Sequence, residues 1–364
     1  MAKPNAIAQI INQQWPYIDS NCNSYQKRIF HAIRSCRTPV LGGHLYLCDS
    51  CHRKHYRFNS CRNRYCSQCQ NTQKEAWIEA RQNQLINTPY FHLVFTIPHE
   101  LNPLCLQFPR AIYALLFRVS WQTLNEFGWN HKYLGAQIGA SMVLHTWGSN
   151  LSLHPHVHCI VPGGGIDLRN KWRNAKGNGK FLFPVIALSN VFKAKFLKGL
   201  EQLQLKMDGP TMALLKNKEW VVYAKPPFGG PDAVIKYLGR YTHKAAITHH
   251  RILKHDQHSV KFSFTDYRHP NQKKTMSLTA SEFVRRLAMH FLPIRFCRIR
   301  HFGILSSQWK SKIFPTASKQ PKIDWIQRWL EKGLDVFKCP HCKKGKLQYV
   351  AEIAPGRGPP IFIF

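Results

Sequence analysis

The sequence predicts an α+β protein with three segments, and three observations carry this prediction. Cysteine pairs are concentrated before residue 70, apolar strand and helix patterns fill the middle of the chain, and basic residues run from one end to the other. We therefore expect a zinc-binding module at residues 1–75, a mixed core at residues 76–305 and a basic C-terminal extension at residues 306–364. With 364 residues, of which 44% are hydrophobic, the chain can bury a sizeable core.

The first segment carries two CxxC pairs, Cys48 with Cys51 and Cys66 with Cys69. The turn of a CxxC pair lets two thiolates approach one tetrahedral ion, and two pairs complete a closed four-thiolate zinc site. Because a filled coordination shell leaves no open position, this site is expected to be structural. The segment is otherwise poor in long apolar periods, so we expect bound zinc, rather than a hydrophobic core, to fold it.

Other soft ligands lie near these pairs and at the far end of the chain. Cys36, His44 and Cys61 are spare ligands for a second zinc site, and reduced thiols without metal are the alternative. Cys339 and Cys342 form a half-site, which closes either with cysteines elsewhere or with none. The sequence leaves the number and the pairing of the zinc sites open.

The chain carries 52 Lys and Arg against 18 Asp and Glu, a formal net charge of +34. This excess of positive charge is larger than solubility requires and indicates that the protein binds an extended polyanion. Nucleic acid is therefore the leading candidate partner. Arg62 and Arg64 lie between the two CxxC pairs, where a rigid loop presents them to phosphates or bases. The alternative for both is a solvated loop.

The sequence has no segment typical of a membrane span or a secretory leader. No run approaches the roughly 18 apolar residues of a transmembrane helix, and the N-terminus lacks the apolar centre of a signal peptide. We therefore expect a soluble, intracellular protein with no membrane partner. In that reducing setting, cysteine pairs are expected to bind metal rather than form disulfides.

The middle segment alternates apolar strands with helices, which predicts a mixed core. The apolar run YFHLVFTIP predicts a strand over residues 90–98, and a long, mostly apolar stretch predicts a helix over residues 104–127. Strands are predicted next over residues 138–147 and 156–161, and the second of them ends at a Pro-Gly-Gly-Gly turn.

The remainder of this segment is more basic. Residues 187–205 predict an amphipathic helix, residues 220–224 a short strand, and residues 232–243, behind the breaker cluster PPFGGP, a further helix. The last predicted elements are antiparallel strands across residues 251–266 and 274–278 and a helix over residues 281–290.

Two histidines in the middle segment are candidates for metal binding. His156 and His158 lie two residues apart on a predicted strand, so both imidazoles project from one face and offer two ligands to one metal ion. In a chain with 20 histidines such a triplet also arises by chance. The glycine-rich turn that follows favours a site, because it leaves room for a substrate.

Two tyrosines, Tyr237 and Tyr241, lie four apart on the predicted helix, so their hydroxyls project from one face. An aromatic stripe in the core is the alternative. Their neighbours are basic, which suits a helix that faces phosphates better than a buried one; the candidates for DNA contact are Lys236, Arg240 and Lys244.

Four motifs occur in an order that resembles a known family. They are SCRNRYCSQCQ, HPHVHCIVPGGG, YLGRYTH and RIRHFGIL. In combination and order they resemble the two-tyrosine HUH transposases of bacterial insertion sequences, which move by rolling-circle transposition. The resemblance spans about residues 15–345, and the chain is more distantly similar to rolling-circle replication initiators and conjugative relaxases.

The resemblance implies a HUH-nuclease core, an antiparallel sheet with helices on one face, and roles for four residues. His156 and His158 would hold Mg²⁺ or Mn²⁺, which polarises the scissile phosphate. One of Tyr237 and Tyr241 would attack that phosphate to form a 5′-phosphotyrosine, and the other would allow a second cleavage while the first link persists. HUH sites recruit a third polar ligand, for which His154 and His243 are the open candidates.

The resemblance also implies the function and the partners. We expect a DNA transposase that nicks and rejoins single-stranded DNA at the ends of its mobile element and in target DNA. We expect it in the bacterial cytoplasm, associated with the nucleoid, with structural Zn²⁺ in its N-terminal DNA-recognition module. The alternatives are a zinc-ribbon DNA-binding protein derived from an inactive or domesticated transposase, and a plasmid replication initiator or relaxase. The oligomeric state stays open.

Overall fold

A computed structural model describes residues 5–70, 74, 75, 78, 85–176, 182–225, 239, 244–266, 272–309, 325–331 and 333–356. Its helices are α1 (Ala6–Gln13), α2 (Trp15–Asn21), α3 (Ser24–Arg34), α4 (Asn102–Gln107), α5 (Pro109–Trp129), α6 (Val185–Gln202), α7 (Gly209–Asn217), α8 (Ala280–Met289) and α9 (Trp325–Glu331). Its strands are β1 (Gly43–Cys48), β2 (Lys54–Phe58), β3 (Tyr90–Thr96), β4 (Gly139–Trp147), β5 (Leu153–Pro162), β6 (Gly164–Ile166), β7 (Trp172–Asn174), β8 (Val222–Lys225), β9 (Ile252–His255), β10 (Ser259–Thr265), β11 (Lys273–Thr279), β12 (Ile299–Gly303) and β13 (Leu347–Ile353).

The central element is a five-stranded sheet in the order β12-β4-β5-β3-β8, and every neighbouring pair in it is antiparallel. Side chains along β5 point alternately to the two faces of the sheet, so the two faces carry different residues. Val157, Cys159 and Val161 enter the main hydrophobic core. His156 and His158 therefore project from the opposite face.

Helices α5 and α6 pack against the core face of this sheet, where Phe117, Phe192 and Phe196 are fully buried. The predicted helix over residues 104–127 is divided between α4 and α5 at Phe108. Phe108 is not helical, because the ring of Pro109 disfavours the helical conformation of the residue before it. An antiparallel sheet with helices on one face confirms the predicted α+β class.

A second hydrophobic core joins the N-terminal helices to the C-terminal half of the chain. Ile10 of α1 and Phe30 of α3 pack in one cluster with Phe262 of β10 and Phe283 of α8, and all four are fully buried. The expectation that the first segment lacks a hydrophobic core is therefore wrong for its helices. Short amphipathic helices contribute only a few apolar residues each, which is why the sequence did not reveal them.

A separate three-stranded sheet has the order β13-β1-β2, so a C-terminal strand lies beside the first strand of the chain. The pairing of β1 with β13 is antiparallel and runs from Gly43 opposite Ile353 to Cys48 opposite Leu347. The predicted C-terminal extension thus returns to the N-terminal module. Along the described part of the chain, no helix is both long and apolar enough to cross a bilayer.

Candidate metal centre and zinc clusters

Three histidine side chains converge on the face of the central sheet that lies opposite helices α5 and α6. His156 and His158 come from β5, and His145 lies on the neighbouring strand β4, directly opposite His156 in the register. His158 Nε2 lies 3.2 Å from His156 Nε2 and 3.2 Å from His145 Nδ1. All three nitrogens lie within 4.8 Å of one another.

The Nδ1 atoms of His156 and His158 each have a hydrogen-bond partner outside the cluster. His156 Nδ1 lies 2.6 Å from the carbonyl oxygen of His154, so Nδ1 carries the proton and donates it. His158 Nδ1 lies 2.9 Å from Nε2 of His92, a buried histidine of β3. With Nδ1–H donating there, His158 Nε2 carries a lone pair. Both Nε2 lone pairs therefore point into the space shared with His145.

Burial keeps these imidazoles neutral. Burial, with smaller contributions from the charges of His154 and Lys244, lowers the pKa of His156 to about 4. Burial also lowers the pKa of His158 well below its ordinary value, with smaller contributions from the neighbouring histidines and Lys244. Neutral imidazoles with convergent lone pairs repel one another and are ligands for a cation. Nitrogens that bind one ion at about 2.1 Å lie about 3 Å apart, which is the spacing found here.

The third member of this cluster was not predicted. His154 shares the strand parity of His156, but it does not belong to the group of converging nitrogens: its carbonyl accepts from His156 Nδ1, and its exposed ring lies 5.2 Å from the His156 ring. His243 lies outside the described residues. His145 is found only when the register of β4 against β5 is known, because 11 residues of chain separate it from His156. From the sequence alone, His145 is recognisable merely as a histidine near the end of a predicted apolar strand.

Both predicted nucleophiles, Tyr237 and Tyr241, lie outside the described residues, as do Lys236 and Arg240. Gly239, between the tyrosines, is described and helical. A Cβ at this position would lie 2.4 Å from Cδ1 of Ile78, so Gly239 itself packs closely against that side chain.

Lys244 is the one predicted DNA contact of this region that the structure describes. Its positive charge contributes to the lowered pKa of His156 and of His158. Desolvation, followed by the charge of Arg251, lowers the pKa of Lys244. The Lys244 carbonyl accepts a hydrogen bond from Nη1 of Arg298 at 3.3 Å, which attaches this segment to a buried arginine next to β12.

The cysteines form two clusters, and their pairing differs from the prediction. Cys66 and Cys69 lie with Cys36 and Cys61, whereas Cys48 and Cys51 lie with two C-terminal cysteines. The expectation that the two N-terminal CxxC pairs share one ion is therefore wrong. Of the spare ligands, Cys36 and Cys61 join a cluster, and His44 does not belong to either one. His44 instead lies on β1 with its ring 6.1 Å from that of Tyr349.

The spacing of the first cluster suits zinc. Cys69 Sγ lies 3.5 Å from Cys36 Sγ and 3.6 Å from Cys61 Sγ. Four thiolates that bind zinc at about 2.3 Å have sulfur atoms about 3.8 Å apart. Cys36 Sγ also accepts a hydrogen bond from the Cys61 amide at 3.5 Å, which helps to hold a thiolate there. The site fits a structural zinc ion within the N-terminal module.

The second cluster unites the two ends of the chain. Cys48 Sγ lies 3.7 Å from Cys342 Sγ, and Cys51 Sγ lies 3.8 Å from Cys339 Sγ. All four sulfur atoms lie within 4.8 Å of one another. The C-terminal half-site predicted from the sequence therefore closes with Cys48 and Cys51.

Arg62 and Arg64 occupy different environments in the loop between the N-terminal pairs. Arg62 is exposed, with a left-handed backbone at φ 51°. Arg64 Nη1 donates to the Phe296 carbonyl at 2.8 Å, and its Nη2 donates to the Tyr65 hydroxyl at 2.9 Å. Arg64 thus holds the N-terminal module against the segment before β12, while Arg62 is the residue that faces outward.

Two family models match the chain in separate regions. A model described as "Transposase zinc-binding domain" matches residues 8–97, and one described as "Putative transposase" matches residues 139–312. The chain is 37% identical to "Putative transposase y4qJ" of Sinorhizobium fredii (strain NBRC 101917 / NGR234), over 94% of this chain and 93% of that protein. It is 28% identical to the "Transposase for insertion sequence element IS801" of Pseudomonas savastanoi pv. phaseolicola, over 94% of this chain and 88% of that protein. No solved structure matches.

Proposed function

Because this chain belongs to the IS91/IS801 family of insertion-sequence transposases, we propose that it nicks and rejoins single-stranded DNA through a 5′-phosphotyrosine. Membership of this family already implies a DNA-cleaving enzyme of the rolling-circle type. The observation that carries the finer proposal is the convergence of three imidazole nitrogens, from His145, His156 and His158, beside a basic segment.

In the proposed reaction, His145, His156 and His158 hold a divalent cation, Mg²⁺ or Mn²⁺, through their inward nitrogens. Bound there, the cation supplies charge that polarises the scissile phosphate. Imidazole ligands favour Mn²⁺ over Mg²⁺, so the abundance of each ion in the cell decides which is used.

The nucleophile is Tyr237 or Tyr241. Its hydroxyl releases its proton to solvent as the phenolic oxygen forms a bond to phosphorus. The bond from phosphorus to the 3′ oxygen breaks, and the leaving oxygen takes up a proton to become a 3′-hydroxyl. The energy of the broken ester is retained in the phosphotyrosine, so attack by another 3′-hydroxyl rejoins strands without ATP. The second tyrosine performs a second cleavage while the first adduct persists.

The positive charges near the histidines position the DNA strand. Lys244 is proposed to contact a phosphate next to the scissile one, and Lys236 and Arg240, next to the tyrosines in the sequence, are proposed to contact other phosphates. Exposed Arg62 is proposed to contact DNA from the N-terminal module. A net charge of +34 makes the affinity for any such strand strongly dependent on salt.

The test is an adduct assay with labelled single-stranded oligonucleotides that cover the ends of the mobile element, with Mn²⁺ or with EDTA. We expect a protein–DNA adduct that needs the metal and that disappears in the Tyr237→Phe, Tyr241→Phe double variant. His145→Ala should lower adduct formation by at least about 100-fold, because a metal ligand is lost. His154→Ala is the matched control and should retain activity, because the His154 ring supplies none of the converging nitrogens and its main-chain carbonyl is kept.

Two outcomes contradict the proposal. Binding of the oligonucleotides without any adduct, while a HUH nuclease of known activity cuts its own substrate in parallel, would favour a DNA-binding protein that does not cut. An adduct that forms equally in EDTA would rule out the metal-dependent mechanism even if the tyrosines are required.

A further inference from the structure

Within the part of the chain that the structure describes, few buried apolar side chains pack on the sheet formed by β13, β1 and β2. Its buried cluster consists of Cys48, Cys339 and Leu347, with only partly buried neighbours around them. Along β13, every residue from Gln348 to Glu352 is exposed. Three strands usually need a hydrophobic face or a helix packed on them to be stable, so another interaction must hold β13 in place.

The four cysteines at one end of this sheet supply that interaction. The two pairs are 288 to 294 residues apart in the chain, and the sulfur distances across them are 3.7 and 3.8 Å. That spacing is too long for a disulfide, whose sulfur atoms are about 2.05 Å apart, and it matches the roughly 3.8 Å edge of a zinc tetrathiolate.

Main-chain amides support both halves as metal-binding turns. The Cys51 amide donates to Cys48 Sγ at 3.4 Å, and the Gly345 amide donates to Cys342 Sγ at 3.3 Å. Amide donors to sulfur stabilise the thiolate form that metal binding requires. The two halves are also attached directly, because the Lys346 amide donates to the Asp49 carboxylate at 2.8 Å.

We propose that Cys48, Cys51, Cys339 and Cys342 bind one zinc ion that fastens the C-terminal segment 339–353 to the β1–β2 hairpin. The family model of the zinc-binding domain ends at residue 97, so half of this site lies far outside it. The first cluster folds the N-terminal module, whereas the second makes the C-terminal segment part of that module. This inference does not depend on the proposed nuclease chemistry.

The first test is the zinc content of the purified full-length chain under reducing conditions. We expect about two zinc ions per chain, and about one after Cys339→Ser, Cys342→Ser or after Cys48→Ser, Cys51→Ser. The quadruple variant should lose no more zinc than either double variant, because both pairs bind the same ion. The matched control, Cys22→Ser, Cys297→Ser, removes two cysteines outside both clusters and should keep both ions.

A second variant keeps all four thiolates. A Cβ on Gly345 would lie 2.5 Å from Cβ of Ser50 and 2.6 Å from Cys48 Sγ, so Gly345→Ala prevents the two halves from meeting. We expect this variant to lose one zinc ion and, like the cysteine variants, to lose hydrogen-exchange protection at β13. Protection in α5 should be unchanged, which shows that the chain has folded.

Three results would overturn the inference. One is a chain that holds two zinc ions after either pair is removed. Another is a quadruple variant that loses more zinc than each double variant, because each pair would then bind its own ion. The third is a β13 that stays protected after the second ion is gone.

Discussion

The contact between His92 and His158 gives a prediction about metal affinity. For Nε2 of His158 to present a lone pair, its Nδ1 must carry the proton, and that proton is donated to Nε2 of His92 at 2.9 Å. Burial lowers the pKa of His92 to about 3, so His92 stays a neutral acceptor at physiological pH. We predict that His92→Phe, which fills the same space without an acceptor, weakens Mn²⁺ binding.

The magnitude follows from the burial of both rings. His92 is 2% exposed and His158 is 7% exposed, so water cannot replace the lost acceptor. A buried donor without a partner costs about 1–3 kcal/mol, which corresponds to about a 5- to 150-fold change in affinity. Groups that orient a metal-bound histidine typically contribute about 10- to 100-fold. We therefore expect about 30-fold weaker binding in the variant.

The assay is a titration of the purified chain with Mn²⁺, followed by electron paramagnetic resonance of the free ion. His92→Gln, whose amide oxygen can accept the same hydrogen bond, should recover part of the affinity. Urea denaturation of each variant checks that the fold is intact. Mn²⁺ affinity within twofold of the wild type in a folded His92→Phe variant would refute the argument that His92 fixes the tautomer of His158.

Three further predictions concern stability. Burial lowers the pKa of His290 to about 4, against about 6.5 when unfolded, so unfolding takes up a proton as the pH falls. When the pH falls from about 7.5 to about 5, the unfolding free energy of the wild type should decrease by about 2 kcal/mol more than that of His290→Gln. Urea denaturation measures both, and equal decreases would contradict the prediction. Gly303→Ala should lower the unfolding free energy, measured by thermal denaturation, by roughly 3 kcal/mol, because φ is +55° and a Cβ would lie 1.9 Å from a main-chain oxygen. Gly209→Ala, with open space around the added Cβ, should lower it little. Arg64→Ala should lower the unfolding free energy by about 1–3 kcal/mol, since two acceptors lose their donor. Arg62→Ala, at an exposed position, should lower it by less; a similar loss in both would argue against a structural role for Arg64.

Local patterns in the sequence predicted much of the central sheet. The alternation that placed His156 and His158 on one face depends only on the geometry of a single strand, and the observed β5 has Val157 in the core between them. The third histidine could not be predicted in this way. His145 meets His156 through the register of two strands, which depends on how the intervening turn and the whole sheet pack.

The pairing of the cysteines shows the same limit of prediction from local sequence patterns. A CxxC spacing reports how two neighbouring thiolates approach an ion, and it carries no information about which other pair completes the shell. The nearest pair in sequence, Cys66 with Cys69, was the simplest partner for Cys48 and Cys51. The chain path instead brings Cys339 and Cys342 to them, a contact fixed by β13 pairing with β1.

The division of one zinc shell between the two ends of the chain has a consequence during protein synthesis. A ribosome adds about 5–20 residues per second. The 288 residues from Cys51 to Cys339 therefore take about 15–60 s, during which the first pair has two of its four ligands. A message that stops between codons 158 and 339 yields a chain that retains His145, His156 and His158 but never completes this shell. Completion of the module thus marks a chain whose synthesis has passed Cys342.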